Sequence, residues 1–154
     1  MIESEWITGN KDLAAVHKIR EKVFVEEQHI APEKVRDGYD ELAVHLLVFV
    51  DGEAAATGRI YHDGSHFRMG RLCVLKQFRG QGIGDLATRL LLYKVFMYAD
   101  ELHISAQAYL KDFYQKFGFE TIGDPFMEEN IPHINMVLLK EKCIFPSKCG
   151  GEER

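Results

Sequence analysis

Apolar positions along this chain fall into short runs separated by turn residues, and their spacing switches between the strand period and the helix period. Residues 3–8 predict a short first strand. Leu13, Val16, Ile19 and Val23 share one helical stripe, and Asn10 is placed to cap that helix, which is expected to run to about Glu27. Residues 30–42 are polar and include Pro32 and Gly38, so they read as a loop with at most one helical turn. Residues 43–50 form a β-rich apolar run, Asp51-Gly52 is a hairpin turn, and residues 54–61 are the return strand. A second turn at His62-Asp63-Gly64-Ser65 leads into a third strand over residues 67–75. Three consecutive hairpin-linked strands make an antiparallel meander.

The texture then changes. Residues 77–84 are rich in Arg, Gly and Gln and open into a helix expected over 85–99, with Ile83, Leu86, Leu90, Tyr93 and Met97 on one face. A strand at 102–106, a short helix at 110–117 and a strand at 119–122 follow. A Pro-punctuated loop over 123–133 separates these from a last strand at 134–139. The order β-α-βββ-α-β-α-β-β predicts one α/β domain, a mixed and mostly antiparallel sheet with helices on both faces.

A chain of 154 residues makes one domain, expected over 1–142 with a tail over 143–154. Hydrophobic residues at 46% exclude disorder, and charge-poor stretches such as 44–50 fall far short of a bilayer span. The acidic start, Met-Ile-Glu-Ser-Glu, has no basic region leading into an apolar run, so a cytoplasmic protein is expected. Nineteen basic against twenty-four acidic residues give a net charge of −5, which argues against bulk nucleic-acid binding. Within that acidic chain Arg68, Arg71, Lys76, Arg79 and Arg89 cluster, either as a solvated basic face or as a site for a small polyanion. No Cys-x-x-Cys occurs and no metal is expected. Cys73 sits in an apolar run and reads as a buried small hydrophobe, whereas Cys143 and Cys149 fall in a partly loose tail.

The most informative segment is the glycine loop Arg79-Gly80-Gln81-Gly82-Ile83-Gly84, which joins a strand to a helix. Alternate glycines let the backbone approach a ligand and turn successive N–H groups toward one point. The helix N-terminus adds roughly half a positive charge, and Arg79 a full one. This chemistry suits a diphosphate. A P-loop would need Lys-Ser/Thr after the glycines, and none follows. Gly82-Ile-Gly84-Asp-Leu-Ala87 fits a dinucleotide fingerprint, but it follows an antiparallel meander where a dinucleotide fold begins with it.

The loop resembles the Arg/Gln-x-x-Gly-x-Gly/Ala pyrophosphate motif of the GNAT superfamily of N-acetyltransferases. Phe113-Tyr114-Gln-Lys-Phe-Gly118-Phe119 is similar to that superfamily's second signature, at the right distance. Arg20 through Gln28, then Asp37, Asp40 and His45, then residues 131–136, look like its ElaA-like (YjcF-like) branch. The resemblance implies a GNAT-like acyltransferase fold and acetyl-CoA as co-substrate, with no metal. It implies that Leu72, Cys73 and Val74 hold the pantetheine arm through their backbone, and that Arg79, Gly80, Gln81, Gly82, Ile83, Gly84 and Asp85 hold the pyrophosphate. Asp85 would have to cap the helix and face away. Gln107 is a candidate for the pantetheine amides and Tyr114 for the general acid. The strand before the glycine loop reads Arg68-Met-Gly-Arg71 where many members carry a glutamate, which leaves Glu27 and His133 as candidate bases. The expected partner is a small-molecule amine, without nucleic acid or membrane, and a homodimer is compatible with the sequence. A non-catalytic acyl-CoA-binding module is the competing reading.

Overall fold

The computed structural model describes residues 1–145. Seven strands form one sheet: β1 (Ile2–Thr8), β2 (Val44–Val50), β3 (Glu53–His62), β4 (Phe67–Val74), β5 (Glu101–Gln107), β6 (Glu120–Glu128) and β7 (Ile131–Leu139). Their spatial order is β1-β2-β3-β4-β5-β7-β6. The β2–β3 turn works because Asp51 and Gly52 both take positive φ, at 49° and 84°, the hand that matches strand twist. All neighbours are antiparallel except β4 and β5. These run parallel and meet at one residue pair, Arg68 with His103.

The helices are α1 (Ala14–Arg20), continued by wider π-helical turns over Glu21–Glu27, then α2 (Pro32–Val35), α3 (Ile83–Val95) and α4 (Lys111–Gln115). α1 starts later than expected. Asp12 accepts the Ala14 N–H at 2.9 Å, while Asn10 instead accepts the Thr8 hydroxyl. Its second half widens because Gln28 N–H reaches back to Val23 C=O, five residues away.

Strand alternation sends the sheet's two faces to different cores. Leu46, Val48, Ala56, Ile60 and Met69 join α3 and the second half of the chain in the larger one. Leu47 and Cys73 join Val16, Ile19 and Val23 of α1 in the smaller. The α3 face is not the predicted stripe. Ala87, Leu91, Leu92 and Val95 are fully buried, whereas Tyr93 and Met97 are 68% and 64% exposed. The helix lies so close to β3 that a Cβ at Gly58 would stand 2.8 Å from the Leu91 side chain, so small residues set the contact face.

The loop expected over 123–133 is instead mostly strand. β6 passes through Pro125, which it tolerates because it is the edge strand and its register shifts between Ile122 and Phe126. The start of the expected tail is also ordered, since Ile144 N–H bonds Phe117 C=O and Cys143 is half-buried. Cys149 lies outside the described residues.

Candidate active site

Because β4 and β5 share one bridge and then diverge, the sheet opens into a cleft of about 1010 Å³ between its two halves. One wall is β4 from Arg68 to Val74; the other is β5 from Ile104 to Gln107, backed by Tyr114 and by His133 of β7. At the β4 wall the pairing with β3 shifts between Thr57 and Arg59, and Arg71 takes a left-handed φ of 50°. That strain is held by its guanidinium, which donates to Val35 C=O at 2.9 Å, Lys34 C=O at 3.2 Å and Asp37 at 3.3 Å. Leu72 and Val74 are half-buried toward the large core. Cys73 points the other way, and burial pushes its thiol up to about 12, which leaves it unreactive.

The glycine loop sits at the mouth. Gly80 and Gly82 have φ of 78° and 79°, and a Cβ on Gly80 would meet nothing within 4 Å, so conformation and not crowding demands glycine there. Gly82 caps α3 without a side-chain acceptor, and the first intrahelical bond runs from Leu86 N–H to Gly82 C=O. The N–H groups of Ile83, Gly84 and Asp85 therefore have no helical acceptor. The Ile83 side chain is buried in the core, and Gln81 is exposed, its amide 3.4 Å from Gln77 C=O. Asp85 turns to Arg89 at 2.6 Å and does not cap the helix. An open, positively polarised loop beside an elongated cleft fits the pyrophosphate and arm of an acyl-CoA.

The basic cluster is not one patch. Arg68 faces Asp63 at 3.7 Å, Arg71 is bound to residues 34–37, and Arg89 pairs with Asp85, so among these four arginines Arg79 alone is at the loop. Arg79 is itself held by Val74 C=O and by a two-bond pair with Glu27, at 2.7 and 2.9 Å. Those hydrogen bonds keep the Glu27 carboxyl below its ordinary range. Gln107 is likewise joined to Gln28 by two reciprocal amide bonds of 2.8 and 3.2 Å. The π-helical end of α1 thus reaches across the mouth to both half-sheets. Sequence spacing carries no sign of these contacts, which join residues 52 and 79 apart.

Tyr114 is 7% exposed, with its ring edge-on to Phe113 and Phe119. Burial pushes its phenol well up, so it stays protonated. His133 is 7% exposed and stacks on Phe126. Its Nδ1 lies 2.7 Å from Ile131 C=O, so Nδ1–H donates there, and Nε2 lies 3.9 Å from Glu128.

Beneath the β4 end of the cleft lies a buried chain of charges. Arg20 binds Asp40 at 2.9 and 3.0 Å. Arg59 binds Asp40 at 2.9 Å and Asp37 at 2.6 and 2.8 Å. His45 donates Nε2–H to Asp40 C=O and accepts from Arg20 at Nδ1. Burial opposes ionisation of Asp40, but Arg20 and Arg59 outweigh it and hold the carboxyl below its ordinary range. Burial also lowers His45, which stays neutral. Arg59 lies over the Tyr61 ring at 4.5 Å, and Tyr61 stacks on Tyr39. This network fastens residues 37–40 to the sheet and so shapes one end of the cleft.

These features define an acyl-CoA transferase fold, and comparison with known proteins agrees. Residues 12–140 match the model of the acetyltransferase (GNAT) domain, and the chain belongs to that family. Within it the chain falls in the ElaA-like branch. The crystal structure of Escherichia coli ElaA superposes with a TM-score of 0.81 at 29% identity, covering 89% of this chain and 99% of that one. The uncharacterised protein YyaT of Bacillus subtilis is 35% identical over 84% of this chain and 90% of its own length. The uncharacterised N-acetyltransferase YjcF of the same organism is 28% identical over 77% and 86%. No helix among the described residues is long and apolar enough to cross a membrane.

Proposed function

We propose that the protein is an acetyl-CoA-dependent N-acetyltransferase that acts on the amine of a small molecule by direct attack. The observation that carries this reading is the continuity of one cleft from the glycine loop, past Tyr114, to His133. The thioester would supply the activated acetyl group. The N–H groups at the start of α3 and the backbone of Gly80 and Gly82 would hold the pyrophosphate, with Arg79 beside them. The β4 edge from Leu72 to Val74 would hold the arm.

His133 is the better base. Its Nδ1–H is committed to Ile131 C=O, which leaves Nε2 to take a proton from the acceptor ammonium. Glu27 is engaged by Arg79 and held in its weakly basic ionised form, so its role is to place Arg79 at the loop. Tyr114 keeps its proton at neutral pH and gives it to the departing thiolate. Arg68–Arg71 supplies no carboxylate to the cleft, which is the observation favouring a non-catalytic acyl-CoA-binding module as the second reading.

Thiol release from acetyl-CoA across an amine panel separates the two. Turnover with at least one small amine supports the enzyme, and tight binding without thiol release supports the module. In single-turnover kinetics Tyr114→Phe lowers the acetyl-transfer rate by roughly 10²-fold while acetyl-CoA affinity holds. A rate within threefold of the parent removes the general-acid role.

A further inference from the structure

Away from the cleft, at the closed end where β4 meets β5, three chemistry-bearing side chains converge. His66 stands at the tip of the β3–β4 hairpin, and Glu101 and His103 project two residues apart from β5. The Glu101 carboxylate is 2.6 Å from His103 Nε2 and 3.8 Å from His66 Nε2, and the two imidazole rings lie 3.8 Å apart, tilted by 31°. One donor atom from each of the three falls within 4.8 Å of the others. None of these residues lines the acyl-CoA cleft.

The backbones under these side chains are fixed. Asp63 accepts the N–H groups of Ser65 and His66 at 2.8 Å, and Asp63 N–H donates to His66 C=O at 3.0 Å, which locks the hairpin tip. Glu101 and His103 lie in β5, paired with Leu139 and Val137 of β7. The bridge from His103 to Arg68 holds the hairpin against β5. His62, four residues before His66, stands apart: its Nδ1 accepts the Gly64 N–H and its ring is edge-on to Phe67.

We infer that His66, Glu101 and His103 form a surface site for a divalent transition-metal ion of the zinc type, with water completing the coordination. Two imidazoles and one carboxylate are the donor set that such an ion prefers. A tetrahedral ion with ligands at about 2.1 Å spaces its donors about 3.4 Å apart. The present separations reach that value by rotating the side chains of His66 and Glu101, both 45% exposed. The fourth position stays open to solvent. Because the ligands come from both sides of the lone β4–β5 bridge, the bound ion ties the two half-sheets together at the foot of the cleft. It is a clasp and takes no part in acyl transfer.

The test is calorimetric titration of the reduced, tag-free full chain with Zn²⁺, alongside its thermal unfolding with and without the ion. One ion per chain is expected, and zinc at about ten times its dissociation constant should raise the unfolding midpoint by about 4 °C. His66→Ala and Glu101→Gln alter exposed side chains and leave the turn's backbone hydrogen bonds in place, so both variants should fold. Each should weaken zinc binding at least about tenfold and remove the thermal shift. His66→Ala/His103→Ala should abolish both. No saturable uptake below about 1 mM zinc would overturn the site. So would undiminished uptake by the double variant, which would mean that cysteines or the cleft histidine bind the ion instead.

Discussion

The two faces of the sheet are built on opposite principles. On the α3 face Ala87, Leu91, Leu92 and Val95 close over β3 and β4 with no exposed surface. On the α1 face the apolar cluster is small, and the space beside it is filled by Arg20, Asp40, His45 and Arg59, four buried polar groups that pair with one another. The first face holds the fold by removing apolar area from water. The second spends stability to position a loop and one end of the cleft, since a buried ion pair is at best a weak net stabiliser while an unpaired buried charge is very costly. One end of the cleft, at Asp37 and Arg59, rests on the second face.

That contrast can be broken most sharply at Asp40. Asp40→Ala leaves Arg20 and Arg59 buried without their shared partner and should cost about 3–5 kcal/mol in urea unfolding. A loss below 1 kcal/mol would mean that water reaches these arginines. Leu91→Ala, on the other face, should cost about 3 kcal/mol by loss of transfer energy and a cavity.

Acid sharpens the same comparison. His45 is depressed by burial, and Asp40 is depressed because its two arginines outweigh its burial. In both cases the unfolded chain takes up protons first. Stability is therefore fully present above about pH 6.5, declines as His45 protonates in the unfolded chain, and falls again below about pH 4 as Asp40 does. Leu91→Ala should shift this curve down without changing its shape, whereas Asp40→Asn should flatten its acid limb. Unfolding midpoints between pH 8 and pH 3 read both. A parallel shift in both variants would sink the assignment.

The meander, the glycine loop and the aromatic signature were legible because each depends on near neighbours in sequence: Asp51-Gly52 sets a turn, and Gly80 and Gly82 set a backbone hand. The inward face of α3 was not legible. Leu90, Leu91, Leu92 and Tyr93 make the helix apolar almost all round, and the close approach is decided by Ala87, Thr88 and Gly58, which large-residue periodicity ignores. β6 was hidden by Pro125, which only an edge position permits. The Glu27–Arg79 and Gln28–Gln107 pairs were invisible for a different reason: the widened end of α1 aims them, and no local pattern announces that widening.

A smaller effect is expected at Arg79. Glu27 already occupies its guanidinium, so Arg79→Ala should weaken acetyl-CoA binding only a few-fold, and more at low salt than at high. A loss that ignores salt would point to a structural role through Val74 C=O.

The most direct test of the acyl-CoA cleft is calorimetric titration of acetyl-CoA into Gly82→Asp. Asp visits the left-handed conformation of Gly82 more readily than most residues, so the chain should fold, and far-UV circular dichroism checks this. The new carboxylate stands at the start of α3, where the phosphates would approach. Affinity should fall at least tenfold, about 1.4 kcal/mol. A folded Gly82→Asp protein that binds acetyl-CoA as tightly as the parent would contradict the cradle.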